Sequence, residues 1–275
     1  MNNLFTRTIT ATAFLAVMLA GLLVSKYLFA GIMIFCMAVM MWEFFRMTMG
    51  ESYTSLRTAS IATAIAAFIL VFIYCECGIK AHFLLLVLIP VLALLASFLY
   101  VKDRSEIGKL AFIFIGLFYI AIPMTLSSLL VYSTGEFDAK ILLFLFFIIW
   151  CSDVGAYLLG CGFGQKYGKK LFPSISPKKS WIGFWGGMAF AVLACIVLNL
   201  TGLLQIPIYH SIILGIIMDV AGVFGDLFES QWKRYYDLKD SGNIIPGHGG
   251  MMDRFDSTLF AVPFGAVYLS LLNLI

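Results

Sequence analysis

Long apolar runs separated by short polar breaks dominate the chain. From the N-terminus they are Ile9–Ser25, Tyr27–Phe45, Ala59–Tyr74, His82–Val101, Leu110–Tyr132, Ile141–Leu159, Trp181–Leu204, Ile208–Phe228 and Ser257–Ile275. Each is near the roughly 20 residues a helix needs to cross about 30 Å of hydrocarbon. The pattern predicts an all-α, polytopic integral membrane protein with about nine transmembrane helices. Only the Ser25–Lys26 region separates the first two runs, which predicts a tight helical hairpin. No internal repeat, low-complexity tract or inter-domain linker interrupts the series. The early spans carry almost nothing polar, whereas the later ones carry Asp153, Asp219 and Asp226. The chain therefore reads as bland N-terminal transmembrane helices over residues 1–109 and a chemically loaded C-terminal region over 110–275. Two polar loops, 160–180 and 229–256, belong to the second region.

Composition sharpens this picture. Apolar residues are 62% of the 275 and charged residues 12%, about half the share in a soluble domain. Lipid is thus the expected solvent. Six cysteines (Cys36, Cys75, Cys77, Cys151, Cys161 and Cys195) lie in or beside apolar runs, and none forms a CxxC pair. They read as buried small hydrophobes in a reduced compartment. The first run follows Arg7 closely, but further spans come straight after it, so it reads as a retained helix and not a cleaved signal.

The net charge of +3 says little, but its distribution says more. Nine spans put the termini on opposite sides. Fifteen of the 18 Lys and Arg residues then fall on the side of the N-terminus, against Lys26, Lys80 and Lys140 on the other. The positive-inside rule makes the N-terminal side cytoplasmic. Nine of those fifteen lie in the two polar loops, and without them the bias is still 6 against 3. The expectation is a multi-pass protein of the cell membrane with its N-terminus and both loops in the cytosol.

The first loop follows Asp153, a carboxylate inside an apolar helix, where a lone charge is costly and needs a partner. Glycines at 160, 162, 164 and 168 let backbone N–H groups approach a ligand. Ser176-Pro177-Lys178-Lys179-Ser180 then leads into a helix N-terminus, a natural phosphate site. The plainer reading is a basic loop that anchors topology. The second constellation starts in the eighth run. Asp219 and Asp226 are seven apart and share a helical face. Asp219 reads equally as a hydrogen-bond partner within the bundle or as a chemical group. Asp226, Asp253 and Asp256 lie at the ends of runs eight and nine, where convergence would suit a hard cation such as Mg²⁺. Lys233, Arg234, Lys239 and Arg254 can neutralise polyphosphate charge. His248, between two glycines, has three open roles: phosphate contact, carboxylate partner or helix cap. An ion or anion transporter would also place acids in the membrane, but near its midplane and often in inverted repeats.

The window Ser230–Asp256 resembles the signature of the phosphatidate cytidylyltransferase (CDP-diacylglycerol synthase) family. It shows Ser230, Lys233-Arg234, Lys239-Asp240, Ile245-Pro246, His248-Gly249-Gly250 and Asp253-Arg254-Phe255-Asp256 at the family spacing. Gly225–Ser230 and Ile175–Trp181 are similar to the family too. Trp232 and Ile182 depart from it, as does Cys161-Gly162. The resemblance implies a nucleotidyltransferase that joins CTP to phosphatidic acid, giving CDP-diacylglycerol and pyrophosphate for phospholipid synthesis. It implies Mg²⁺ on Asp226 and Asp253, with a second cation site and with Asp256 close by. Phosphate contacts would come from Lys233, Arg234, Lys239 and Arg254. Ser176, Lys178, Lys179, Ser230, His248 and Asp153 are further substrate-binding candidates. It also implies a homodimer in the lipid bilayer, with no nucleic acid as partner. A related CTP-using lipid kinase or cytidylyltransferase is the nearest rival. The unbroken signature argues against a kinase.

Overall fold

The computed structural model describes residues 3–101, 104–247 and 249–275. They form two compact units, each built from two stretches of chain. The first comprises Met1–Ala139 and Asp240–Arg254, the second Lys140–Lys239 and Phe255–Ile275.

In the first unit α1 (Asn3–Leu23) turns directly into α2 (Lys26–Met49). Ser25 caps α2, its side chain accepting from Tyr27 N at 3.3 Å, so the expected helical hairpin is present. Helix α3 (Thr54–Cys77) follows, then α4 (Ala81–Tyr100) and α5 (Ile107–Val131). Helix α4 opens as a 3₁₀ turn over Ala81–Val87, and α5 contains a π-helical turn over Leu117–Ala121. The core gathers on α2, where Phe29, Met37, Met40, Phe44 and Phe45 are fully buried. Gly116 lets α5 reach that core, since a Cβ there would stand 2.7 Å from the Phe45 ring. Lys26 pairs with Glu76, which also accepts from the Tyr132 hydroxyl at 2.5 Å.

The second unit begins with α6 (Lys140–Tyr167), which passes through a π-helical turn at Gly160–Gly164. A short antiparallel hairpin follows, β1 (Lys170–Phe172) and β2 (Ser176–Ser180), with Lys170 opposite Ser180 and Phe172 opposite Ser176. Then come α7 (Trp181–Leu200) and α8 (Ile208–Tyr235). The four-residue α9 (Met252–Phe255) closes the Asp240–Arg254 stretch of the first unit, and the chain re-enters the second at Phe255 and ends with α10 (Thr258–Leu271). Small residues set the helix spacing. A Cβ on Gly155 of α6 would meet Gly186 O at 2.6 Å, and one on Gly186 of α7 would meet Leu159 at 2.8 Å. Close backbone approach of this kind is how helices associate where burial of apolar surface gives no drive.

Among the described residues, seven helices, α2 to α8, are long and apolar enough to cross a membrane. The apolar part of α1, Thr8–Leu23, and α10 are shorter. Fourteen residues in α10 reach only about 21 Å, and Asn273 ends the run with a positive φ of 50°. All nine apolar runs are thus helical, and the chain is a multi-pass, all-α membrane protein. Two details differ from the sequence reading. Cys36 and Cys195 are buried, but Cys77 and Cys161 are exposed, Cys77 as the last residue of α3 and Cys161 in the π-helical turn of α6. The 170–180 segment forms a hairpin, its ladder too short to show an alternating pattern.

Candidate active site

In the second unit a cleft of about 560 Å³ opens between α6, the hairpin and α8, with Asp153, Lys178, Lys179, Ser180, Asp226 and Ser257 on its wall. Ile149, Phe184, Met218 and Val223 supply an apolar side. The hairpin delivers its lysines because β2 runs straight into α7. Ser180 caps that helix by accepting from Gly183 N at 3.1 Å, and Lys169 O accepts from Trp181 N at 3.0 Å. Gln165 Nε2 donates to Lys178 O at 2.6 Å. Two helix-anchored points therefore fix the strand that carries Lys178 and Lys179.

Lys179 Nζ stands 2.5 Å from Asp226 Oδ2, and Ser230 Oγ, one turn further along α8, donates to Asp226 Oδ1 at 3.2 Å. Asp256 Oδ1 accepts from Ser257 N at 2.7 Å. Burial, and then the carboxylates of Asp226 and Asp153, push the Asp256 carboxyl well above the usual carboxylate range; Ser257 N–H and Lys233 oppose this in part. Helix α8 can approach this corner because residue 225 is glycine, whose Cβ would otherwise collide with Asp256 O. Lys233 is buried and pairs with Glu229 at 3.1 Å. Arg234 Nη1 donates to Leu238 O at 2.8 Å and its Nε to Ile175 O at 3.4 Å. Ser176 is half-buried at the start of β2, and Lys239 is exposed. Asp219 is 1% exposed and accepts from Ser152 Oγ at 2.5 Å, which favours the intrabundle partner among its two readings.

The other part of the signature lies in the first unit. Between Asp240 and Arg254 the chain makes a tight turn, bridged where Ile245 N donates to Gly249 O at 3.0 Å. Thr10 Oγ1 donates to Pro246 O at 3.1 Å. Asp253 Oδ2 accepts from Ser241 N at 2.9 Å, Ser241 Oγ at 3.0 Å and Gly250 N at 2.8 Å. Gly249 adopts φ +81°, and a Cβ on it would sit 2.7 Å from Asp253 Oδ2. Arg254 is exposed, its N–H bonded to Met251 O at 3.0 Å. His248 lies outside the described residues. Beneath the turn is a residue the sequence reading passed over. Glu43, in α2, accepts from Met251 N at 3.0 Å and Met252 N at 2.9 Å. The available signal was its being the single acidic residue of an otherwise apolar span, a position that is costly without partners.

The structure thus brings Asp153, Lys178, Lys179, Asp226 and Asp256 to one corner of the second unit, with Ser230 supporting Asp226. Asp253 and Arg254 belong to the turn of the first unit. Among the described residues no group of three His, Cys, Asp or Glu side chains could hold a metal ion. Mg²⁺ asks for less, since one or two carboxylates plus substrate phosphates suffice. Asp226 and Asp153 on the cleft wall, with the Asp256 carboxyl close enough to feel both, offer hard oxygen donors of the kind such an ion takes.

Comparison with known proteins agrees with this chemistry. A stretch of 186 residues, 68% of the chain, is 37% identical to a protein named phosphatidate cytidylyltransferase from Bacillus subtilis (strain 168), covering 68% of it. Proteins of the same name from Staphylococcus epidermidis (38% over 163 residues) and Staphylococcus aureus (38% over 165 residues) are similar over 59% of the chain and 60% of their own length. The family model described as the cytidylyltransferase family matches residues 5–272. From the first helix to the last, the chain belongs to the cytidylyltransferase family.

Proposed function

We propose that this protein is a phosphatidate cytidylyltransferase, transferring CMP from CTP to phosphatidic acid. The observation that carries the reading is the cleft whose wall holds Lys178, Lys179, Asp226 and Asp153, with Lys179 paired to Asp226, beside an apolar side. Such a cleft suits a phosphate carried on a lipid. In the reaction a phosphate oxygen of phosphatidate bonds to the α-phosphorus of CTP. The bond from that phosphorus to the bridging oxygen breaks, and pyrophosphate leaves with the electron pair. The nucleophile is already an anion, so the barrier is repulsion between anions and not removal of a proton. Lys178 and Lys179 lower that repulsion at the cleft, and Arg234, Lys239 and Arg254 are further phosphate contacts. Lys233, buried against Glu229, acts through the charge balance around Asp256. Asp226 and Asp253 are assigned to Mg²⁺, each on its own surroundings and on the family signature. Such an ion supplies charge neutralisation at the phosphates.

The same reading has the protein as a homodimer in the cell membrane, with the N-terminus and both loops in the cytosol, where CTP is found. Its support is the charge bias between the two sides. The test is direct. Purified protein in detergent, given labelled CTP, phosphatidic acid and Mg²⁺, should form CDP-diacylglycerol and pyrophosphate in equal amounts. Absence of CDP-lipid with every divalent ion tried would overturn the assignment.

A further inference from the structure

We infer that Glu43 is the positioning residue of the Asp240–Arg254 turn: its carboxylate holds the turn in the shape that presents Asp253. The inference rests on the proposed function for what Asp253 does, but not for how the turn is held.

Glu43 is 1% exposed, in the middle of the Met/Phe core of α2. A carboxylate there requires donors to both oxygens. It finds them 208 and 209 residues away: Oε1 accepts from Met251 N and Oε2 from Met252 N. These amides lie at the start of α9, where N–H groups have no acceptor within the helix. Glu43 thus caps from outside the short helix that carries Asp253 and Arg254. The cap also reaches Asp253 laterally. Ser241 Oγ lies 3.0 Å from Asp253 Oδ2 and 3.4 Å from Glu43 Oε2, so the hydroxyl sits between the two carboxylates with its one proton nearer Asp253. Gly250 serves Asp253 through its N–H and makes room for Glu43, since a Cβ on it would stand 2.7 Å from both Glu43 oxygens. A Cβ on Gly242 would collide with Glu43 Oε1. Two glycines, two amides and one hydroxyl of the turn are therefore shaped around one side chain of α2. A residue of purely structural use in the core would need none of this convergence on Asp253.

Glu43→Gln replaces one acceptor with an NH₂ donor facing a backbone N–H. Hydrogen exchange, followed by mass spectrometry on the purified protein, should speed up by about tenfold or more in peptides covering 240–254. Peptides from 140–239 should be unchanged. In the CDP-diacylglycerol assay the Mg²⁺ concentration for half-activity should rise about 10–100-fold, the range for outer residues that orient metal ligands, with KM for CTP little changed. Glu43→Asp, which keeps the charge, should recover part of both readouts. Should Glu43→Gln fail to insert, Gly242→Ala disturbs the same contact from the turn and should give the same two changes. Unchanged exchange in 240–254 with an unchanged Mg²⁺ requirement would overturn the inference. If the wild type makes no CDP-lipid, the functional reading fails, and the exchange arm still decides whether Glu43 holds the turn.

Discussion

Asp226 and Asp253, both proposed as metal ligands, are held in unlike ways. Asp226 sits on the 28-residue α8 and is met by an ammonium, Lys179, and a hydroxyl, Ser230. Asp253 sits on a four-residue helix and is met by two backbone amides and a hydroxyl of its own turn. The difference is one of exchangeability. An ammonium on a flexible stem can leave a carboxylate for a substrate phosphate. A backbone N–H cannot leave without the turn opening. As a proposed ligand, Asp226 has a partner that can be traded when substrate arrives, whereas Asp253 has its orientation built in.

The severest test of the pair is removal of either charge. Asp226→Asn and Asp253→Asn should each lower turnover about a thousandfold or more. A cation's stabilisation of the reacting phosphates is worth several kcal/mol, and each 1.4 kcal/mol or so is tenfold. CDP-lipid formation by inserted, monodisperse variants is the measurement. Near-normal activity in one variant removes that residue from the metal assignment.

Lys179→Met sharpens the contrast at intermediate size. Turnover at subsaturating CTP should fall about 10–100-fold, the scale of losing one charged phosphate contact. The Mg²⁺ requirement should stay the same or drop, because the ammonium no longer competes for Asp226. A Mg²⁺ requirement that rises as in Asp226→Asn would show that Lys179 orders the carboxylate and does not trade places with a cation. Ser241→Ala is the mildest. It removes one donor to Asp253 Oδ2, a hydrogen bond worth about 1 kcal/mol, and should raise the Mg²⁺ requirement several-fold. A loss as deep as that of Asp253→Asn would mean that the backbone amides of Ser241 and Gly250 do not keep the carboxylate in place without the hydroxyl.

What the sequence made legible follows from range. Helices in an apolar solvent satisfy their own backbone, so each span is written in its own 20 or so residues and all nine runs are helical. The cluster of Asp153, Lys179, Asp226 and Asp256 was legible in kind because Asp153 is a charge inside an apolar run and the others lie in a polar break or at a span end. The Lys179–Asp226 pair was not, since it depends on a hairpin of three and five residues too short to declare itself. Glu43 was the least legible. Its partners are more than 200 residues away, and one acidic letter in an apolar run carries no local sign of what it will meet.

The distance between Glu43 and its amides also has a meaning in time. At roughly 5–20 residues per second of synthesis, the 208 residues between Glu43 and Met251 take about 10–40 s to make. Throughout that interval a carboxylate destined for burial has not met its donors, and once α5 is complete at Val131 the five helices of the first unit exist without the segment that completes them. A nascent chain stopped before Met251 would hold every long helix of that unit and still be unfinished. The first unit is begun first, yet it can be closed only after nearly the whole protein has been synthesised.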